Sequence, residues 1–183
     1  MNEEPLCERA PVRRHWLNLA GRAEPSGLAR RHVRQALAGR ASPERVEDAV
    51  LVASELVGNT VRHTIGGPDC MCLEVYGNAA VLWVHDSGRD VSAVRTRSAT
   101  ASSDELTDSG LGLFLIEELT AGWLVRPTAI GKEVVVVLPL DAGGLPERDV
   151  LPYLPAVRPS LAAEFDQLDG GYGEFDSREH TKP

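Results

Sequence analysis

The sequence predicts an α+β two-layer sandwich in which a mixed, largely antiparallel sheet is covered on one face by about three helices. Segments with alternating apolar residues and segments with apolar residues at helical spacing follow each other in the order β-α-α-β-β-loop-α-β-β. The pair Gly77-Asn78 separates two of these strands by only two residues, a length that joins neighbouring antiparallel strands in a hairpin. Helices and strands with one apolar side must bury it against each other, so they form two layers.

The composition indicates one globular domain with an appendage. The chain has 183 residues, a net charge of −8 and 43% hydrophobic residues, which is enough for a hydrophobic core. Apolar runs such as Val134–Leu138 are too short to span a bilayer, and Met1–Pro11 contains no segment that resembles a signal peptide. The three cysteines lack the spacing of a zinc site, and an acidic chain lacks the clustered basic face that binds nucleic acid. We therefore expect a cytoplasmic protein that binds neither membranes nor nucleic acid directly.

The chain begins with one predicted strand and two predicted helices. The alternating pattern of Arg13–Leu19 predicts the strand. Pro25 opens a segment with apolar residues at helical spacing, and Gly39 stands where the C-terminal cap of that helix would be. A longer helix is predicted to begin at Ser42-Pro43-Glu44, which supplies an N-cap, a first-turn proline and an acid that favours the helix N-terminus. It is predicted to end before Gly66-Gly67-Pro68, so both helices have recognisable ends.

The middle of the chain is predicted to contain two strands and a long loop. Cys70–Tyr76 and Ala79–His85 are the strands of the first hairpin. Asp86–Ser109 is rich in Ser, Thr, Asp and Arg and shows no sustained periodicity. A connection of this length is typical either of a functional lid or of disorder.

A third helix and a second hairpin complete the predicted domain. Ser109 is predicted to cap a helix that has leucines at four-residue spacing. Gly122–Arg126 and Lys132–Leu140 are the strands of the closing hairpin, with the turn through Ile130-Gly131. We therefore divide the chain into an N-terminal extension (1–12), the domain itself (13–140) and a C-terminal tail (141–183).

The tail is predicted to be flexible. It carries nine acidic and four basic residues and five of the chain's prolines, a composition that favours extended chain over a packed unit. A short helix around Ser160–Leu168 is compatible with this pattern. The acidic tail is either a solvated appendage or a regulator that competes with partners for a basic surface.

Three polar residues on the long helix are candidates for chemistry. Glu55, Asn59 and His63 recur every four residues, so they share one stripe of the helix. A polar stripe on an otherwise apolar helix is either a solvated face or a site, since burying such groups without partners costs about 1–3 kcal/mol each.

Two glycine-containing strings follow in the sequence. Asp86-Ser87-Gly88 puts a carboxylate at the end of a buried strand, although an ordinary turn has the same composition. Gly110-Leu111-Gly112-Leu113 puts two glycines at the start of a helix, whose free N–H groups can bind an anion. A hinge or tight packing against the sheet explains these glycines equally well.

The order of these three strings is more specific than any one of them. A helix with Glu-x-x-x-Asn, a strand that ends in Asp-x-Gly, a long loop and Gly-x-Gly at a helix start resemble the GHKL ATP-binding superfamily, whose members share the Bergerat fold. Glu55-Leu56-Val57-Gly58-Asn59 is similar to the N-box, and the strings at Asp86 and Gly110 are similar to the two glycine boxes. The small size and the closing Gly131-Lys132-Glu133-Val134 most resemble the anti-sigma-factor serine/threonine kinases, which are stand-alone histidine kinase-like ATPase domains.

The resemblance implies a role for each matching residue in binding ATP and Mg²⁺. Asn59 would hold Mg²⁺ through its side-chain oxygen, and Asp86 would accept a hydrogen bond from the adenine amino group. Gly88 would let the chain pass close to the base. The string Gly110-Leu111-Gly112-Leu113 would hold the phosphates under a lid formed by 89–109.

The resemblance also implies the catalytic residue and the partners. Glu55 would act as the general base that deprotonates a serine hydroxyl of a protein substrate, and His63 would support the nucleotide site from behind Asn59. The protein would sequester a sigma factor and phosphorylate an anti-anti-sigma protein of the STAS type, so that transcription is regulated by partner switching. A homodimer is usual in such a family.

Two residues depart from the family's pattern and keep other readings open. Asp90 stands where a second glycine would follow Gly88, and Ser109 stands where relatives have an arginine before the Gly-x-Gly. These departures favour the alternative of a non-catalytic, ATP-gated binding module of the same fold. A histidine-kinase catalytic fragment is disfavoured because no dimerisation helix with a phospho-acceptor histidine precedes the domain, and a purely structural domain would require three coincidental matches.

Overall fold

The computed structural model of the protein describes residues 11–88, 108–145 and 174–175. These residues form three helices and six strands in the order β-α-α-β-β-α-β-β-β. The elements are β1 (Arg13–Asn18), α1 (Pro25–Leu37), α2 (Pro43–His63), β2 (Pro68–Val75), β3 (Ala79–Asp86), α3 (Asp108–Leu119), β4 (Gly122–Pro127), β5 (Lys132–Pro139) and β6 (Glu174–Phe175). The α+β sandwich predicted from the sequence is confirmed.

The six strands form one sheet in the order β4-β5-β3-β2-β1-β6. Every pair of neighbouring strands in the described residues is antiparallel. Strand β3 lies inside the sheet, paired with β2 along one edge and with β5 along the other. The two hairpins predicted at Gly77-Asn78 and at Ile130-Gly131 are therefore confirmed, because β2 pairs with β3 and β4 pairs with β5.

The ends of α2 follow the predicted signals. The Ser42 hydroxyl accepts a hydrogen bond from the Arg45 amide at 3.3 Å, and Pro43 occupies the first turn, where a missing N–H costs nothing. The helix ends at His63, and the next residue, Thr64, donates its amide to the Thr60 carbonyl at 2.9 Å. The helix therefore ends three residues before Gly66, where the predicted stop signal begins.

The two faces of the sheet bury different side chains. The face toward the helices packs aliphatic residues of β2, β3 and β5 against the apolar sides of α1, α2 and α3. The opposite face carries a second buried cluster, in which Trp16 is 7% and Trp83 is 2% exposed. On that face the carboxylate of Glu74 is fully buried and accepts hydrogen bonds from Arg14, Tyr76 and Trp83. A buried carboxylate requires such partners, so this network fixes β1, β2 and β3 relative to one another.

Two features differ from the expected elements. Helix α3 begins at Asp108, so Ser109 lies inside the helix instead of capping it. Helix starts read from sequence are uncertain by one or two residues, because several consecutive polar residues can supply the cap. Strand β6 was not predicted; it is a two-residue strand within the region assigned to the tail, and it pairs with β1. Of the predicted lid at 89–109, residues 89–107 lie outside the described residues and the last two belong to α3. The helix predicted around Ser160–Leu168 also lies outside the described residues.

No helix in the described ranges is long and apolar enough to cross a membrane. Cys70 and Cys72 are buried on the face of the sheet away from the helices. Within the same ranges, no group of three His, Cys, Asp or Glu side chains could hold a metal ion on its own. These thiols therefore act as small apolar groups in the second cluster.

The unfolding free energy is expected to fall on acidification, partly because of His32. Its ring on α1 meets the His15 ring edge to face, with centroids 6.0 Å apart. Burial lowers the pKa of His32 below its ordinary value, and this outweighs the opposite effect of a hydrogen bond with the His15 backbone. The unfolded chain therefore binds the proton more readily, so stability that is present above about pH 6.5 is lost as the pH falls toward the lower folded pKa.

Urea unfolding at about pH 7.5 and about pH 5.5 measures this effect. The loss of stability should be smaller in His32→Gln, which cannot titrate in this range. A nuclear magnetic resonance titration of His32 with a midpoint at or above about 6.5 would contradict the expectation.

Candidate functional site

Asp86 is the last residue of β3 and points to the face that the helices cover. Its side chain is buried, and Oδ1 accepts three hydrogen bonds: from the Gly88 amide at 2.8 Å, from Lys132 Nζ at 2.8 Å and from Thr64 Oγ1 at 3.2 Å. In the part of the chain that the structure describes, the second oxygen, Oδ2, accepts none. The carboxylate is therefore fixed through one oxygen and presents the other as an acceptor.

Lys132 begins β5 and lies directly opposite Asp86 in the sheet register. Its ammonium is buried, with the Asp86 carboxylate at 2.8 Å and the Gly88 carbonyl at 3.3 Å. A buried charge is tolerated when it is paired and hydrogen-bonded, and Lys132 satisfies both conditions. The structure thus places Lys132 beside Asp86, the residue expected to bind the base.

The turn before Lys132 passes very close to the end of β3. A Cβ atom added to Gly131 would overlap the Asp86 carbonyl oxygen and would lie 2.7 Å from Ser87 Cα. Backbone atoms cannot move aside as a flexible side chain can, so only glycine allows this approach. Gly131 therefore sets the distance between Lys132 and Asp86.

Gly88, two residues after Asp86, is a second glycine at which a side chain would collide with neighbouring atoms. A Cβ atom added there would lie 2.8 Å from Asp86 Oδ1, 2.9 Å from Lys132 Nζ and 2.9 Å from Thr64 Cγ2. A side chain at Gly88 would therefore collide with Asp86, Lys132 and Thr64 unless they moved. The sequence predicted that Gly88 permits close approach of a ligand, and this position fits that role.

The polar stripe of α2 forms a second group of candidate residues. Asn59 Oδ1 accepts a hydrogen bond from Arg62 Nη2 at 2.7 Å, and the same nitrogen lies 3.6 Å from Glu55 Oε2. Glu55 is partly buried, with a side chain that is 27% exposed, whereas Arg62 is half-exposed. The side chains of the stripe are thus partly exposed. Partial exposure suits a binding site at the edge of the core, because the polar groups are held in place and can still be reached.

Helix α3 closes against this stripe. Gly112 is buried, and a Cβ atom added to it would lie 2.6 Å from Glu55 Oε2 and 3.7 Å from Asn59 Nδ2. Gly110 belongs to the first turn of α3, where backbone N–H groups have no partner within the helix, and Gly112 lies at the start of the second turn. Glu55, Asn59 and the start of α3 are therefore brought together, as the order of the sequence motifs predicted.

Thr64 connects the two groups. It follows the last residue of α2 and donates its hydroxyl hydrogen to Asp86, so the helix that carries Glu55 and Asn59 is joined to the end of β3. Neither Thr64 nor Arg62 was selected from the sequence as a site residue. A threonine at a helix end and an arginine on an exposed face are too common to be selected without their neighbours in the fold.

A hydrogen-bonded chain on the other face of the sheet supports this end of β3. His85 Nδ1 lies 3.0 Å from Asp69 Oδ2, and His85 Nε2 lies 3.0 Å from Thr128 Oγ1. Thr128 belongs to the turn between β4 and β5, and its amide donates to the Gly131 carbonyl at 2.9 Å. His85 thus ties this turn, and with it Lys132, to the strand that ends at Asp86.

The remaining predicted residues receive less structural support. His63 is exposed and takes part in no hydrogen bond or ion pair among the described residues, so its supporting role stays a prediction. Leu111 and Leu113 lie in α3, but their side chains, like Asp90, are outside what the structure describes.

Comparison with known families agrees with the geometry. A family model described as a histidine kinase-like ATPase domain matches residues 20–138, which is more than half of the chain and includes every candidate residue above. A search of curated proteins found no match. The matched range begins just after β1 and covers all three helices, strands β2, β3 and β4, and β5 up to its last residue; β1 and β6 lie outside it.

Proposed function

Because the chain belongs to the histidine kinase-like ATPase domain family, within the GHKL superfamily, we propose that it is a cytoplasmic, ATP-dependent serine/threonine protein kinase that acts as an anti-sigma factor. The family model supports ATP binding. The observation that carries the kinase proposal is the position of Glu55, a partly buried carboxylate that faces Gly112 near the start of α3 and lies beside Asn59. A carboxylate held at that point can act on a hydroxyl that approaches the phosphate end of the site.

The base of ATP is proposed to bind at the Asp86 end of the site. Asp86 Oδ2 would accept a hydrogen bond from the adenine amino group, while three donors hold Oδ1 in place. Gly88 leaves room for the edge of the base, since any side chain there would meet Asp86 and Lys132. The acceptor is thus fixed before the nucleotide arrives, which lowers the entropic cost of binding.

The phosphates are proposed to bind between α2 and the first turn of α3. The free N–H groups of that turn, which contains Gly110, can donate to phosphate oxygens. Asn59 Oδ1 is a hard oxygen donor suited to Mg²⁺, and Glu55 adds a carboxylate nearby. When bound, Mg²⁺ would supply positive charge that neutralises the phosphates during transfer.

In the proposed reaction Glu55 accepts the proton of a serine or threonine hydroxyl on a protein substrate. The hydroxyl oxygen forms a bond to the γ-phosphorus, the bond to the β-phosphate oxygen breaks, and ADP leaves. The start of α3 stabilises charge on the transferred group through its N–H donors. No covalent enzyme intermediate is needed.

The proposed partners are a sigma factor, which the protein would sequester, and an anti-anti-sigma protein of the STAS type, which it would phosphorylate. The support is the similarity of the N-box string and of Gly131-Lys132-Glu133-Val134 to the anti-sigma-factor kinases. Phosphorylation would release the STAS-type protein and leave the sigma factor bound. A homodimer is proposed on the same ground.

Calorimetric titration of ATP in the presence of Mg²⁺ tests the nucleotide site. We expect saturable binding by the wild type and affinity lowered about 10- to 100-fold in Asp86→Asn and in Asn59→Ala. In Asp86→Asn the three donors would still hold the oxygen, so the new amide nitrogen would face the adenine amino group, donor against donor. Asn59→Ala should also abolish the dependence of binding on Mg²⁺.

Asp48→Asn is the matched control, because Asp48 lies in the first half of α2 and pairs with Arg45 on its surface. It should bind ATP as the wild type does. A folded wild type that binds no ATP would overturn the proposal. Binding of ATP without transfer to a purified STAS-type partner would favour the ATP-gated binding module instead.

A further inference from the structure

The ammonium of Lys132 has one N–H group that donates no hydrogen bond to the described residues. A lysine ammonium carries three N–H groups. Lys132 Nζ directs one to Asp86 Oδ1 at 2.8 Å and a second to the Gly88 carbonyl at 3.3 Å. One N–H remains, on a side chain that is only 7% exposed and therefore held in place.

A free acceptor lies beside this free donor. Asp86 Oδ2 accepts no hydrogen bond from the described residues, and its partner oxygen is the one that Lys132 contacts. A Cβ atom added to Gly88 would lie 2.8 Å from Asp86 Oδ1 and 2.9 Å from Lys132 Nζ, so the carboxylate and the ammonium lie on the same side of this glycine. The end of β3 and the start of β5 thus present an acceptor and a donor next to each other.

We propose that Lys132 is a specificity-determining residue that donates a hydrogen bond to N1 of adenine while Asp86 accepts one from the neighbouring amino group. The inference rests on the proposed function, because it requires ATP at this site. Adenine has an amino donor on C6 next to the N1 acceptor, which complements an acceptor and a donor side by side. Lys132 therefore contacts the base directly and is more than a partner that neutralises Asp86.

The same pair explains rejection of other purines. Guanine and hypoxanthine have an oxygen on C6 and an N–H at position 1. In the same orientation their oxygen would face Asp86 and their N–H would face Lys132, so both contacts become repulsive. Discrimination would come from two residues on two strands instead of Asp86 alone.

The test compares ATP with 1-deaza-ATP, in which a C–H replaces N1, by calorimetric titration of the full chain. We expect the wild type to bind 1-deaza-ATP about 10-fold or more weakly than ATP, since a hydrogen bond from a charged donor is lost. In Lys132→Met, which keeps the length of the side chain and removes the donor, the two nucleotides should bind with nearly equal affinity. A purely structural role of Lys132 would lower both affinities and leave their ratio as in the wild type.

Thr64→Val is the matched control, because Thr64 also donates to Asp86 Oδ1 but is not proposed to contact N1. Its ratio of ATP to 1-deaza-ATP affinity should equal that of the wild type. If Lys132→Met does not fold, the double variant Asp86→Asn with Lys132→Met leaves no buried uncompensated charge and provides the same comparison.

The outcomes separate this inference from the proposed function. Wild type that binds ATP and 1-deaza-ATP equally, or a variant lacking Lys132 that keeps the wild-type ratio, would overturn the role of Lys132 while ATP binding stands. Folded wild type that binds neither nucleotide would overturn both.

Discussion

Replacement of Gly131 by alanine is expected to lower the unfolding free energy by about 3 kcal/mol, the upper end of the usual cost of overpacking. The added methyl group would overlap the Asp86 carbonyl and approach Ser87 Cα at 2.7 Å. Because all the atoms it meets belong to the backbone, β5 must move away from the end of β3. That movement also separates Lys132 from Asp86, so ATP affinity should fall together with stability.

Urea unfolding and ATP titration of Gly131→Ala measure the two effects. Gly143→Ala is the control, because a Cβ atom at Gly143 meets nothing within 4 Å and this glycine does not have a positive φ. It should change stability by less than about 0.5 kcal/mol. Equal stability of the two alanine variants would show that the turn can relax, and Gly131 would then not set the distance between Lys132 and Asp86.

Replacement of Glu55 by glutamine is expected to slow phosphoryl transfer to the protein partner by about 10²- to 10⁴-fold, the usual contribution of a general base. Glutamine keeps the shape of the side chain but cannot accept the hydroxyl proton. Glu55 lies beside Asn59 and Gly112 but is not proposed to contact the base, so ATP affinity should stay within about 1 kcal/mol of the wild type. Radiolabelled phosphate transfer and calorimetry on the same preparations measure the two quantities.

Glu44→Gln is the matched control for this experiment. Glu44 is an exposed acid in the first turn of the same helix, so its replacement should leave transfer unchanged. Undiminished transfer by Glu55→Gln would assign the base to another residue. A loss of ATP binding together with transfer would instead identify Glu55 as part of the nucleotide site.

Most of the fold could be predicted because its signals are local. The N-cap at Ser42, the proline at position 43 and the two-residue turn at Gly77-Asn78 act within a few residues of the chain, and each produces the element expected from it. Strand β6 could not be predicted, because two residues are too few to show a period. The start of α3 was misplaced by two residues, since several neighbouring polar residues, Asp108 and Ser109 among them, can begin a helix.

Only part of the candidate site could be predicted from the sequence. The order of motifs predicted that Glu55, Asn59 and Gly112 meet, and the structure brings them together. The contacts that fix Asp86 could not be predicted, because Thr64 and Lys132 are 22 and 46 residues away in the chain. Sheet register and helix packing determine which residues lie next to the end of a strand. Neither can be predicted from the local periodicity of the sequence.

Because β3 lies inside the sheet, the two ends of the candidate site differ in how easily their backbone opens. Asp86 closes a strand that is hydrogen-bonded to β2 and β5 on both edges, so its backbone is released only when the sheet itself opens. Gly110, at the other end of the site, lies in the first turn of α3, a helix terminus of the kind that frays in local openings far smaller than global unfolding. The Asp86 end of the candidate site should therefore stay in place during fluctuations that open the first turn of α3.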